Sequence, residues 1–207
     1  IAAPAITPIE TNRDKQSEFL TEIQNTEVTP IEPVFVDFSK DMSKGSVAEG
    51  IELLYKKNEI NDVTTLTSVF DRGTQSDPRL DLAFDYLGYL GTPTRTAEQI
   101  KKELYELACY QRLSCGPTQS SIGVSGLDKN VGKAMDIVED LIFNAQPDTA
   151  ILAGLKSDIF KSRSDSKLSQ RACFSALQKY LFYGPEFIRN TTLTYEQIAA
   201  LTSDELL

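Results

Sequence analysis

The stretch FDRGTQSDPRLDLAFDYLGYLGT, Phe70–Thr92, decides how this chain is read. A β-branched run ends at its first residue and Gly73 turns the chain. Asp77-Pro78 is a helix start: Asp accepts from free N–H groups, and proline at the first helical position loses nothing by lacking one. Leu80, Phe84, Leu87 and Leu90 then recur three and four residues apart, which puts one apolar stripe on a helix. Gly91 is the expected stop. The stretch therefore predicts a strand–turn–helix corner, and the segments on both sides read as packing onto it.

Upstream, residues 1–33 contain Pro4, Pro8, Pro30 and Pro33 and read as a linker or hinge segment, with one short helix over Ser17–Gln24. Residues 34–207 read as a single domain. Val34–Phe38 and Gly50–Lys57 alternate as strands do, with Asp41–Glu49 a polar connector. Asn58–Asp62 is turn chemistry, and the β-branched run Val63–Phe70 is the expected antiparallel partner of Gly50–Lys57.

Downstream, Thr96–Gln99 is a capping box for a helix with Ile100, Leu104, Leu107 and Ala108 inward. Residues 111–127 return to strand texture around a Gly116-Pro117 turn, and the small residues of SSIGVSGL predict a close-packed face. Asp128 is the expected cap of a third helix, with Val131, Met135, Val138, Leu141 and Ile142 as its stripe. Pro147-Asp148 opens a fourth, with Leu152, Leu155 and Ile159, which Lys161–Lys167 carries into solvent or breaks. Ser169–Tyr183 is a fifth, with Cys173, Leu177, Tyr180 and Leu181 inward and Gly184-Pro185 as its end. A second capping box, Thr194–Gln197, opens a short helix to about Leu201, and Ser203 begins a last turn. Strands, two helices, strands and then several helices predict an α+β fold: two layers, an antiparallel sheet with helices packed on one face.

Composition narrows the chemistry. The chain has 207 residues, 21 Lys+Arg, 30 Asp+Glu and no histidine, for a formal net charge of −9. With no dense basic run, nucleic acid is not an expected partner. Without histidine there is neither imidazole ligation of a metal nor His-based acid–base catalysis. Cys109, Cys115 and Cys173 are too few for a disulfide framework and read as small core residues. No apolar run approaches the length of a membrane span. The N-terminus, IAAPAITPIETNRD, looks like a cut inside a longer chain, with a signal or an upstream domain removed.

No phosphate loop or nucleophile elbow occurs, and Gly123-x-x-Gly126 reads as relief of crowding in a strand. Asp81 and Asp85 sit one turn apart on one helix. Such a pair can bind a cation or share a proton, and the plainer reading is two carboxylates facing water. Glu103 and Glu106 are read the same way. Tyr86 and Tyr89 read as packing residues.

Four segments carry a resemblance: GIELLYKKNEINDVTTLTSVFDRG (Gly50–Gly73), LAFDYLGYLGT (Leu82–Thr92), LYELA (Leu104–Ala108) and SGLDKNVGKAMDIVEDLI (Ser125–Ile142). In order and spacing they resemble the insulinase/pitrilysin family of zinc metallopeptidases, especially the non-catalytic second half of those chains. The resemblance covers roughly residues 30–205. It implies the metallohydrolase-like fold of the insulinase and mitochondrial processing peptidase type, which would continue into further strands beyond Leu207. In the family's catalytic unit, two His and a later Glu hold zinc, and the Glu of an inverted H-x-x-E-H motif activates water. Counted back from Gly91-Thr92, the motif positions are Leu82, Asp85 and Tyr86, and the later ligand falls near Asp158. A family-type zinc site is therefore expected to be lacking, with no catalytic or metal-binding residue in this chain and zinc only in the catalytic half of the parent.

The implied function is a non-catalytic domain of an insulinase-like zinc metalloendopeptidase. It would form the opposing wall of a peptide-enclosing chamber and an interface to the catalytic half. The implied partners are that half, in the same chain or a homologous subunit, and a peptide substrate. An extracytoplasmic, periplasmic location is the accompanying expectation. The alternatives are a structural or assembly subunit of the same fold and a stand-alone peptide-binding module.

Overall fold

The computed structural model describes residues 15–207, so the first part of the expected linker, residues 1–14, lies outside the described residues. The described residues divide into two compact units between Lys56 and Lys57.

In the first unit, the short helix α1 (Glu18–Gln24) forms as expected, with the Ser17 hydroxyl accepting from Leu20 N–H at its N-terminus. Strands β1 (Ser43–Ala48) and β2 (Ile51–Tyr55) make an antiparallel hairpin. Two expectations are corrected here. Val34–Phe38 is not a strand: Asp37 takes Ser39 N–H onto its carboxylate at 3.0 Å and turns the chain. The polar connector Asp41–Glu49 instead supplies β1, the partner of β2, because a two-residue turn at Glu49-Gly50 brings the ladder together.

The second unit is an α+β domain. Strands β3 (Val63–Phe70), β4 (Cys109–Cys115) and β5 (Ser120–Leu127) form an antiparallel sheet in the order β3-β5-β4. The partner of β3 is thus β5, from Val63 opposite Leu127 to Phe70 opposite Ser120, and not the Gly50–Lys57 strand. Periodicity identifies a strand but does not choose its neighbour. Helices α2 (Leu80–Leu87), α3 (Ala97–Glu106) and α4 (Asp128–Asn144) pack against the sheet. Val124 is fully buried beneath them, while Tyr110, Arg112 and Ser114 point away and are exposed. The close packing expected of β5 is present: a Cβ on Gly126 would lie 2.5 Å from the Cys109 sulfur.

Helix α5 (Thr149–Ser166) is capped by Asp148, whose carboxylate accepts from Ala150 and Ile151 N–H. Helix α7 (Tyr195–Ala200) and a last 3₁₀ turn (Ser203–Glu205) close the unit. Both capping boxes form as read, at Thr96/Gln99 and Thr194/Gln197. Asp128 is the first residue of α4 and not its cap, and it accepts the Thr64 hydroxyl at 2.6 Å.

Helix α6 (Gln170–Thr191) departs most from the sequence reading. The first helical segment ends at Gly184-Pro185 as read: Gly184 has a φ of 75°, a conformation open to glycine, and a second helical segment follows it across a kink. Its expected inward face is not buried: Tyr180 is 50% and Leu181 71% exposed, and Cys173 is exposed. Of the three cysteines only Cys109 is buried.

Candidate functional site

The corner at Gly73 is tied to the β4–β5 turn. Thr74 N–H donates to the Gly116 carbonyl at 3.0 Å and Gln75 N–H to the Pro117 carbonyl at 2.9 Å. After it, α2 begins at Leu80, later than Asp77-Pro78 predicts. The Asp77 carboxylate accepts from the Arg79 backbone N–H at 2.9 Å and pairs with its guanidinium at 2.7 Å, holding a turn ahead of the helix. The buried face of α2 is also not the stripe of Leu80, Phe84 and Leu87, which are half-buried. It is Leu82 and Tyr86, with Leu90 just beyond the helix end. The helix stops at Leu87, before Gly91.

Gly91-Thr92 is a junction. The Gly91 carbonyl accepts Gln146 N–H at 2.8 Å, and Thr92 N–H donates to the Arg95 carbonyl at 2.7 Å. Arg95 then reaches Glu103 on α3 at 3.0 Å and Asp140 on α4 at 2.8 Å. Asn144, Thr92 and Arg95 together hold the Asp140 carboxyl below the ordinary aspartate value. Glu103 is therefore engaged in a bridge, whereas Glu106 meets water and Lys102 at 3.9 Å.

The three motif positions have separate fates. Leu82 is 5% exposed and belongs to the core. Tyr86 is fully buried, and its hydroxyl is committed: its oxygen accepts the Asp148 N–H at 2.7 Å and lies within donating distance of the Asp148 carbonyl at 2.9 Å and Ser203 Oγ at 3.0 Å. Asp85 stays at the surface. Shielding beside the neighbouring cleft, and then the like charge of Asp81, raise its carboxyl above the ordinary aspartate value. Tyr89 is an exposed ring under the Lys101 ammonium at 5.3 Å.

A cleft of about 620 Å³ opens beside α2. Leu82, Asp85 and Asp158 line it together with Asp81, so the structure gathers the sequence-selected residues at one place, with Tyr86 outside the lining. The donor set does not fit a zinc ion. An aliphatic side chain stands at the first position, a phenol tied to Asp148 and Ser203 at the last, and a single carboxylate between them. Among the described residues no cluster of three His, Cys, Asp or Glu side chains is arranged to hold a metal. The sequence reading did not find Asp148 and Ser203 as partners of Tyr86, or Arg163 and Lys179 on the cleft. Asp148 was visible as a cap, but no local signal pairs it with a tyrosine 62 residues earlier.

Comparison with solved structures follows from this architecture. The inactive domain of a peptidase M16 from Pseudomonas fluorescens superposes with a TM-score of 0.70 at 15% identity, covering 80% of this chain and 42% of that one. The fold is that of the M16 peptidase domains. The periplasmic protease PqqL from Escherichia coli gives a TM-score of 0.63 at 19% identity, over 90% of this chain and 23% of PqqL. The ferredoxin protease FusC, in complex with Arabidopsis ferredoxin, gives 0.60 at 11% identity, over 96% of this chain and 23% of FusC. The chain thus spans less than half the length of each of these M16-like structures. No protein-family model and no curated protein sequence matches it.

Two outcomes follow. Tyr86→Phe removes the acceptor of the Asp148 N–H and the partner of the buried Ser203 hydroxyl, so urea denaturation should show a loss of about 1–3 kcal/mol, and an unchanged midpoint would contradict the tie. Asp85 is a raised acid: the folded chain holds its proton more tightly than the unfolded chain, so ionisation costs stability above the raised value and nothing below the ordinary one. Asp85→Asn should therefore raise the urea midpoint at about pH 7 and leave it unchanged at about pH 3, where the carboxyl is protonated in both states.

Proposed function

We propose that this chain is a non-catalytic domain of a zinc metallopeptidase of the M16 type. It would form the wall that faces the catalytic half and helps enclose a peptide. The carrying observation is the fate of α2 within an M16-like fold. The positions that would present two metal ligands hold a core leucine and a tyrosine spent on an internal hydrogen bond, in a chain with no histidine. The remaining carboxylate, Asp85, has no metal-bound water to activate and keeps only its charge.

The likeness to an inactive M16 domain and to two larger proteases supports this reading of the part within the whole. The periplasmic location of PqqL is in keeping with an extracytoplasmic parent. Among the described residues no helix is long and apolar enough to cross a membrane. The zinc of the parent would belong to its catalytic half, and so would the bond-breaking step.

Zinc titration by calorimetry, paired with a fluorogenic peptidase assay on the 207-residue chain, tests the reading. The expected result is no stoichiometric zinc binding and no hydrolysis by the chain alone. Tight one-to-one zinc binding, or proteolysis that a chelator abolishes, would sink it.

A further inference from the structure

The first segment of α6, residues 170–183, is a helix whose apolar face has no cover among the described residues. Every residue from 173 to 183 is exposed. Isolated helices of up to about 12–15 residues are marginal in water, and most helices in proteins owe their stability to a packed face. This segment has such a face and leaves it open. Phe174, Leu177, Tyr180 and Leu181 recur three and four residues apart and are 59%, 52%, 50% and 71% exposed. The charged residues of the segment, Arg171 and Lys179, fall off that stripe. Lys179, on the side of the helix opposite Leu177 and Leu181, lines the cleft beside α2 and lies over the Phe187 ring at 5.6 Å. The open stripe is therefore uncharged and turned away from that cleft.

The character of the stripe selects its occupant. Without charge, it does not recruit a partner by charge complementarity. A membrane surface suits a helix whose polar face is rich in Lys and Arg, whereas the chain carries a net charge of −9, which anionic lipid repels. A second copy presents the same stripe, with no like charges to oppose, so the two cover each other about a two-fold axis. Rings and leucines exposed to this degree offer roughly 100 Å² apiece, so the stripe, with Gln170 and Cys173 beside it, would bury about 500 Å² per copy and about 1,000 Å² in a pair, the lower bound for a specific interface. We propose that α6 pairs with α6 of a second copy of this chain through Phe174, Leu177, Tyr180 and Leu181. The pairing is independent of the reading of the chain as a peptidase wall.

Sedimentation velocity of the 207-residue chain tests it. Over about 1 to 100 µM the mass should move from monomer toward dimer and no further. Leu177→Asp sets two like charges into the paired stripe and should weaken the dimer about a hundredfold or more. Leu177 is half exposed, so the urea midpoint of that variant at about 1 µM, where both proteins are monomers, should not move. Phe182 is 79% exposed but lies about 100° around the helix from Leu181, so Phe182→Asp should change the dimer by less than about threefold. A chain that stays monomeric throughout, a dimer that survives Leu177→Asp, or one lost as readily with Phe182→Asp would overturn the pairing, as would open-ended aggregation. A monomeric chain that sediments with vesicles of phosphatidylcholine and phosphatidylserine would assign the face to lipid and overturn it too.

Discussion

The structure depends on one buried hydroxyl. Tyr86 sits on the inward face of α2 with no exposed surface, and a phenol in that position must find partners or forfeit its hydration. It finds them at Asp148 and Ser203. The Asp148 backbone is held by the phenol while its side chain caps α5, so a single residue sets where α5 begins. Ser203 brings the last 3₁₀ turn onto the same point. Lys156 of α5 then donates to the Ala199 and Leu201 carbonyls and ties off the end of α7. The walls of the cleft, α2, α5 and the α7 end, are thereby fixed relative to one another from below.

On the proposed reading, this tie lets α2 keep its place without the family's metal motif. Removing a metal site from a helix face leaves positions that must either be solvated or packed. Of the three positions picked out by resemblance, Leu82 and Tyr86 lie inward and Asp85 outside. The Gly91-Thr92 junction is preserved by a different set of contacts, through Gln146 and the Arg95 bridge to Glu103 and Asp140. The two ends of the corner are held by hydrogen bonds and ion pairs.

The sequence was most legible where the signal is local. Two capping boxes, the Asp148 cap, the β3 and β5 runs and the α+β class follow from residues within a few positions of each other. It was least legible where a distant partner decides. The partner of β3 lies more than fifty residues downstream, and β1 came from a stretch whose polarity hid it. On α2 two apolar stripes overlap, and the spacing of Leu80, Phe84 and Leu87 drew the reading away from Leu82 and Tyr86, whose hydroxyl is satisfied by residues that no spacing rule connects. Helix α6 carries a strong apolar pattern that the described residues do not cover, so pattern alone overstated its burial. At the site, Leu82, Asp85 and Asp158 were picked out by resemblance and do share one cleft, whereas the basic residues Arg163 and Lys179 gave no sequence signal of lying there.

The most direct test of the central claim is a double-mutant cycle between Tyr86 and Ser203, measured by urea denaturation of the parent chain, Tyr86→Phe, Ser203→Ala and the double variant. If Tyr86 serves as an internal tie, the two changes should be non-additive by about 0.5 kcal/mol or more. Additivity to within about 0.3 kcal/mol would mean that the hydroxyl does not bind α2 to the end of the chain, and the account of a motif position given over to packing would be contradicted.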